Sequence, residues 1–189
     1  MLYFSLQMMT SLGLGDVVPK ANWIRLVCVF QALVGFGLLT ASVSSIVLVY
    51  PALSRMRCLA RRTENLLKAA HQAGVDVVTG EAEQLITGIA LDVVRTRVDL
   101  IHFPIIYFFH SEHPRSSLAH ALPTLLAFAE RGSTADSSER VRLVSGTLQA
   151  ALQDLAHVLS DRFVNGDRND TLSVFRAYAE DHLCADSGK

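Results

Sequence analysis

The chain has 189 residues, half of them hydrophobic and 19% charged, with a formal net charge of -1. That balance excludes a nucleic-acid binder, which needs a net basic face to neutralise phosphates. Three cysteines, Cys28, Cys58 and Cys184, stand far apart and in no CxxC or CxxH spacing, which excludes a disulfide framework or zinc ribbon and reads as reduced thiols.

Charge is distributed unevenly. Residues 1–50 hold only Asp16, Lys20 and Arg25 as charged groups, whereas every histidine lies after Pro51. This divides the chain into a membrane part, 1–51, and a soluble part, 52–189.

Residues 2–10 are apolar or weakly polar, too short to span, and run straight into Gly13 and Gly15. A short helix followed by irregular backbone is tolerated at membrane depth only where it is buried in protein or lines a water-filled path. The pattern predicts a pore helix and a re-entrant loop that Pro19 ends. Trp23 and Arg25 then make an interfacial start for a span. From Leu26 to Tyr50 there is no charge; at 1.5 Å per residue this helix reaches roughly 37 Å, enough to cross a hydrocarbon core of roughly 30 Å. It is too long, and wrongly placed, for the apolar core of a secretory signal. Arg55, Arg57, Arg61, Arg62 and Lys68 follow the span, so the positive-inside bias puts the C-terminal part in the cytoplasm and Asp16 outside.

Thr10-Ser11-Leu12-Gly13-Leu14-Gly15-Asp16 carries the chemistry. A potassium filter replaces the ion's hydration shell with rings of backbone carbonyls. The loop therefore needs residues that take unusual backbone angles at little steric cost, as glycine does, and a hydroxyl at its inner end. Gly13 and Gly15, alternating with Leu12 and Leu14, meet the first need, and Thr10 or Ser11 the second.

Here the sequence resembles the pore module of the tetrameric potassium channels, whose TTVGYGD pattern, followed three residues on by proline, lines up with Thr10 to Asp16 and Pro19. Extended without gaps, the resemblance puts Trp23 and Arg25 at the start of the inner helix, Gly35 at the hinge glycine, and Tyr3 and Phe4 at the aromatic cuff of the pore helix. It implies a potassium-selective subunit of a homotetramer in the plasma membrane, with Phe36, Leu39, Val43 and Val47 lining the cavity and K+ as the permeant ion. Gln7 falls behind the filter, where it can hydrogen-bond Asp16 or nearby backbone. Leu14 replaces the usual tyrosine, as in the second pores of two-pore-domain channels, and Ser11 replaces the second threonine. The family fold also begins with an outer helix before the pore helix, so the chain reads as a fragment or a late start. By side-chain type alone the cavity residues equally suit lipid or helix contacts, Gly35 and Gly37 equally suit close helix packing, and Gln31, Thr40, Ser42, Ser44 and Ser45 suit interhelical hydrogen bonds.

After Pro51, which should kink or end the span, the sequence reads as all-helical, making the fold class all-α. A basic helix over 53–73 is capped by Gly74, and a helix from Glu81 to about Asp99 follows. The apolar run Leu100–Phe109 is expected as a buried core helix, with an interfacial segment as the other option. Further helices are expected over 115–131, kinked or restarted at Pro123, over 139–164, and over about 170–184. Asp136, Ser137 or Ser138 caps the longest of them, whose Val141, Val144, Leu148, Leu152, Leu155, Leu159 and Phe163 form one stripe.

His110-Ser111-Glu112-His113 invites a metal reading, but Pro114 follows at once and no third ligand is placed. No nucleophile elbow, phosphate loop or HExxH appears, so neither an enzyme nor a cofactor is expected. The cluster Arg55, Arg57, Arg61 and Arg62 is a solvated face, with anionic lipid as a further partner beside the bilayer. The rival to the channel is a single-span membrane-anchored sensor or interaction protein with a degenerate pore loop.

Overall fold

The structure, a computed structural model, describes residues 2–74, 83–109, 117–134, 138–167 and 170–183, and among them all regular structure is helical. The His110–His113 cluster, Asp136, Ser137 and Cys184 lie outside the described residues. The elements are α1 (Leu2–Met9), α2 (Asn22–Ala73), α3 (Glu83–His102), a 3-10 turn (Pro104–Phe108), α4 (Leu118–Gly132), α5 (Glu139–Arg162) and α6 (Thr171–Leu183). They fall into two units, Met1–Tyr50 and Pro51–Lys189.

In the first unit α1 leads through an irregular loop into the apolar part of α2. This helix is long and apolar enough to cross a membrane. Its side chains from Leu26 to Leu48 are mostly exposed, as a surface bound for lipid or for other helices must be, since hydrocarbon does not penalise apolar exposure.

Helix α2 does not end at Pro51, one of the two outcomes expected there; it continues through the proline. Proline inside a helix removes one hydrogen bond and costs about 3 kcal/mol. The turns that follow offset this: Ala52, Leu53, Met56, Leu59 and Ala60 are buried, and two ion pairs fasten the same stretch to α3. Arg55 bonds Asp99 bidentately at 2.7 and 2.8 Å, and Arg62 reaches Asp92 at 2.7 Å. The helix ends at Ala73, where Gly74 takes a left-handed φ of 64°.

Leu100–Phe109 is not one buried helix. Pro104 cannot donate to a helical carbonyl and pushes Phe103 out of helical angles, to φ -127° and ψ 72°. Helix α3 stops at His102, and the tighter turn that follows buries Ile106 and Tyr107 while exposing Ile105, Phe108 and Phe109. Helix α4 begins at Leu118, with Ser117 as its N-cap, and runs through Pro123 without restarting. Ser138 caps α5, its hydroxyl accepting from the Val141 amide; Asp170 caps α6 by accepting from the Leu172 amide at 3.0 Å.

The core of the second unit forms where α5 packs against α3, α4 and α6. Leu148, Leu152, Leu155 and Leu159 on α5 meet no solvent beyond 2%. Tyr107 closes one end, stacked on Phe163 with ring centroids 4.4 Å apart and edge-on to Tyr178 and His182. Its hydroxyl donates to Asp181, and His182 places its two ring nitrogens 3.0 and 2.8 Å from the Tyr178 and Tyr107 carbonyls. Burial raises both phenols above the ordinary tyrosine value, and the neighbouring Asp181 carboxylate adds to it.

Leu155→Ala is expected to cost about 3 kcal/mol, because its cavity is enclosed on all sides. Leu143→Ala, on the exposed face of the same helix, should stay within about 0.5 kcal/mol of the parent. Denaturant unfolding of the detergent-solubilised chain measures both.

Candidate pore loop and inner helix

Helix α1 ends in a defined cap. The Ser11 amide donates to Met8 O at 3.2 Å and the Leu12 amide to Gln7 O at 3.1 Å, with Ser11 left-handed at φ 55°. These are the paired bonds of a Schellman motif. The Thr10 hydroxyl adds a bond to Leu6 O at 2.8 Å. Left-handed backbone then recurs at every second residue, Gly13 (φ 47°) and Gly15 (φ 77°). In an extended segment of uniform hand, successive carbonyls point to opposite sides. Reversing the hand at alternate residues is what permits them to share one side, and only glycine does so without a penalty of roughly 1–2 kcal/mol.

Asp16 anchors the far end of the loop back to α1. Its two carboxylate oxygens accept from the Tyr3 hydroxyl at 2.8 Å and from Gln7 Nε2 at 3.1 Å. The Tyr3 bond, then the Gln7 bond, hold its carboxyl below the usual carboxylate value. Gln7 is the buried polar residue of α1, and its Oε1 has no partner among the described residues. At the other flank, Arg25 Nε donates to Pro19 O at 3.0 Å, tying the loop exit to the first turn of α2.

The contact between α1 and α2 is backbone-deep. Gly35 is buried, and a Cβ there would overlap the Met9 carbonyl oxygen and stand 2.8 Å from its carbon. Gln31 Nε2 donates to the carbonyl and hydroxyl oxygens of Ser5 beside this contact. Below the loop an open cavity of about 340 Å³ is lined by Leu6, Met9, Thr10, Ser11, Gly35, Phe36 and Leu39.

Residues 1–50 match a protein-family model described as an ion channel. The N-terminal unit is thus similar to ion channels along its whole length. Searches of curated proteins and of solved structures find no match to the chain. The family match covers 50 of the 189 residues and leaves the second unit without an assigned relative.

Within this unit Phe36 and Leu39 come together with Thr10 and Ser11, while Val43 and Val47 lie exposed farther along α2. Gly35 occupies a close-packed position, where the approach of Met9 leaves no room for a side chain. A Cβ added at Gly37 would meet nothing within 4 Å among the described residues. Thr40, Ser42 and Ser45 bond their own helix, donating to the carbonyls four residues back at 2.8 Å. Among the described residues of the expected group, Gln31 is the one that bonds another helix, through Ser5. Sequence reasoning placed Tyr3 in an aromatic cuff and missed its bond to Asp16. Nothing in the spacing of two residues 13 apart signals that bond, which depends on how the loop folds back.

Gly35→Ala is expected to dislodge α1 and lower the thermal midpoint of the detergent-solubilised chain, whereas Gly37→Ala should leave it within a degree or so. Tyr3→Phe removes the larger hydrogen bond to Asp16 and should raise its pKa toward the ordinary carboxylate value. The depressed carboxyl contributes stability at neutral pH that is lost as pH falls through its folded pKa. In Tyr3→Phe that loss sets in at higher pH, which NMR titration of the Asp16 carboxyl reads directly.

Proposed function

We propose that the chain is a potassium-selective channel subunit in which four copies of residues 11–15 ring the permeation path and supply backbone carbonyls to dehydrated K+. The carrying observation is the positive φ at Ser11, Gly13 and Gly15 in succession, the backbone that a carbonyl-lined filter needs. One loop furnishes only part of such a ring, so conduction requires copies related by symmetry. Leu12 and Leu14 are exposed in the single chain, and in the tetramer they pack behind the filter. Gln7 and Asp16 brace the loop from its outer side. Phe36, Leu39, Val43 and Val47 face the cavity on the cytoplasmic side of the filter.

An anchor with a degenerate loop has no use for a left-handed residue at every second position or for a carboxylate held by two side chains. In this reading the channel sits in the plasma membrane with its second unit cytoplasmic, an orientation that the arginines after the span support. Of those arginines, Arg55 and Arg62 are engaged by Asp99 and Asp92. Arg57 and Arg61, exposed and one helical turn apart, are left for anionic headgroups.

Reconstituted in liposomes, the full-length protein should pass K+ in preference to Na+. Flux of both ions at background, beside a conducting control, rejects the reading. Gly13→Ala should abolish flux, because its methyl opposes the left-handed angle while meeting no neighbouring atom within the chain; flux unaltered by that change removes Gly13 from the filter.

A further inference from the structure

The two ion pairs of the second unit set a register. Arg55 meets Asp99; seven residues on along α2, Arg62 meets Asp92, seven residues back along α3. The two helices therefore run antiparallel in step, and α3 returns toward the end of the unit at which the chain enters it. Continued by four residues, the same register sets Pro51 opposite Phe103, so the 3-10 turn Pro104–Phe108 begins at the level of Pro51. Pro51 directly follows Tyr50, the last residue of the charge-free span.

That turn exposes an apolar cluster: Ile105 is 52% exposed, Phe108 63% and Phe109 45%. Ile106 and Tyr107 between them are buried in the core, so the exposed side chains sit on a rigid mount. Cationic groups flank the cluster on both sides. Arg162, at the end of α5, donates to Ile101 O at 3.2 Å. Arg57 shares a small pocket with Phe109. Both guanidiniums belong to exposed residues.

Aromatic and aliphatic side chains beside two arginines, in a turn that follows the α3 end paired with the start of this unit, have the composition of an interfacial segment. We infer that Ile105, Phe108 and Phe109 insert into the headgroup region of the cytoplasmic leaflet, with Arg57 and Arg162 on anionic lipid, so that this end of the second unit rests on the bilayer. The inference relies on α2 being a membrane span and not on ion conduction.

The test uses the full chain with Trp23→Phe, which removes its one tryptophan, and a single reporter in each of three variants: Phe108→Trp, Tyr50→Trp and Leu143→Trp. Leu143 is exposed near the start of α5, roughly 28 Å along that helix from Arg162, and is the reporter away from the membrane. Each is reconstituted in vesicles containing phosphatidylglycerol and lipids brominated near the headgroup end of their acyl chains. The expected result is that Phe108→Trp loses emission to the bromines as Tyr50→Trp does, while Leu143→Trp does not. Adding Arg57→Gln and Arg162→Gln should relieve part of the Phe108→Trp quenching and leave that of Tyr50→Trp unchanged. If Phe108→Trp is quenched no more than Leu143→Trp, the inference is overturned. Blue-shifted emission without quenching overturns it as well, by showing that protein and not lipid covers the turn. Flux of K+ and Na+, measured on the same vesicles, reports separately on the channel reading.

Discussion

The carbonyl of Met9 lies against the bare Cα of Gly35, and the pore unit is arranged around that contact. It brings the C-terminal end of α1 against α2, so the residues that follow must leave the helix at once, through the left-handed Ser11 of the cap. The loop is then held at both ends: Asp16 is bonded back to Tyr3 and Gln7, and Pro19 to Arg25. Backbone so fixed has little freedom to reorganise, which is what the proposed filter role asks of it. That is the physical requirement for replacing a hydration shell at low cost.

In the second unit the comparable role falls to ion pairs. Asp99 is largely buried and accepts two bonds from Arg55, a geometry that specifies register more strongly than a single contact does. With Arg62 and Asp92 it holds the basic stretch of α2 against α3, and burial from Ala52 to Ala60 carries α2 through Pro51. Two of the four juxtamembrane arginines thus serve the fold. A count of positive charge near a span overstates what is free to meet lipid.

Legibility followed the range of the forces involved. The all-helical fold, the apolar stripe of α5 and the turn at Gly74 were readable because periodicity and glycine chemistry act within a few residues. Pro51 and Pro104 carry the same local signal and met different fates. Buried contacts downstream carried α2 past Pro51, whereas after His102 no compensating helical packing stood against Pro104, and the chain took a tighter turn. Local propensity decides only where tertiary burial does not compete with it.

The sequence by itself determined the loop motif with its glycines at alternate positions, the length and polarity of the apolar helix and the helical class of the remainder. Each is a property of neighbouring residues or of composition. Only the tertiary structure decided that Gly35 is a packing glycine, that Tyr3 joins Gln7 on Asp16, that Arg55 and Arg62 are occupied, and that Ile105, Phe108 and Phe109 face outward. Those outcomes depend on which distant segments meet, and no spacing along the chain encodes a meeting that folding alone brings about.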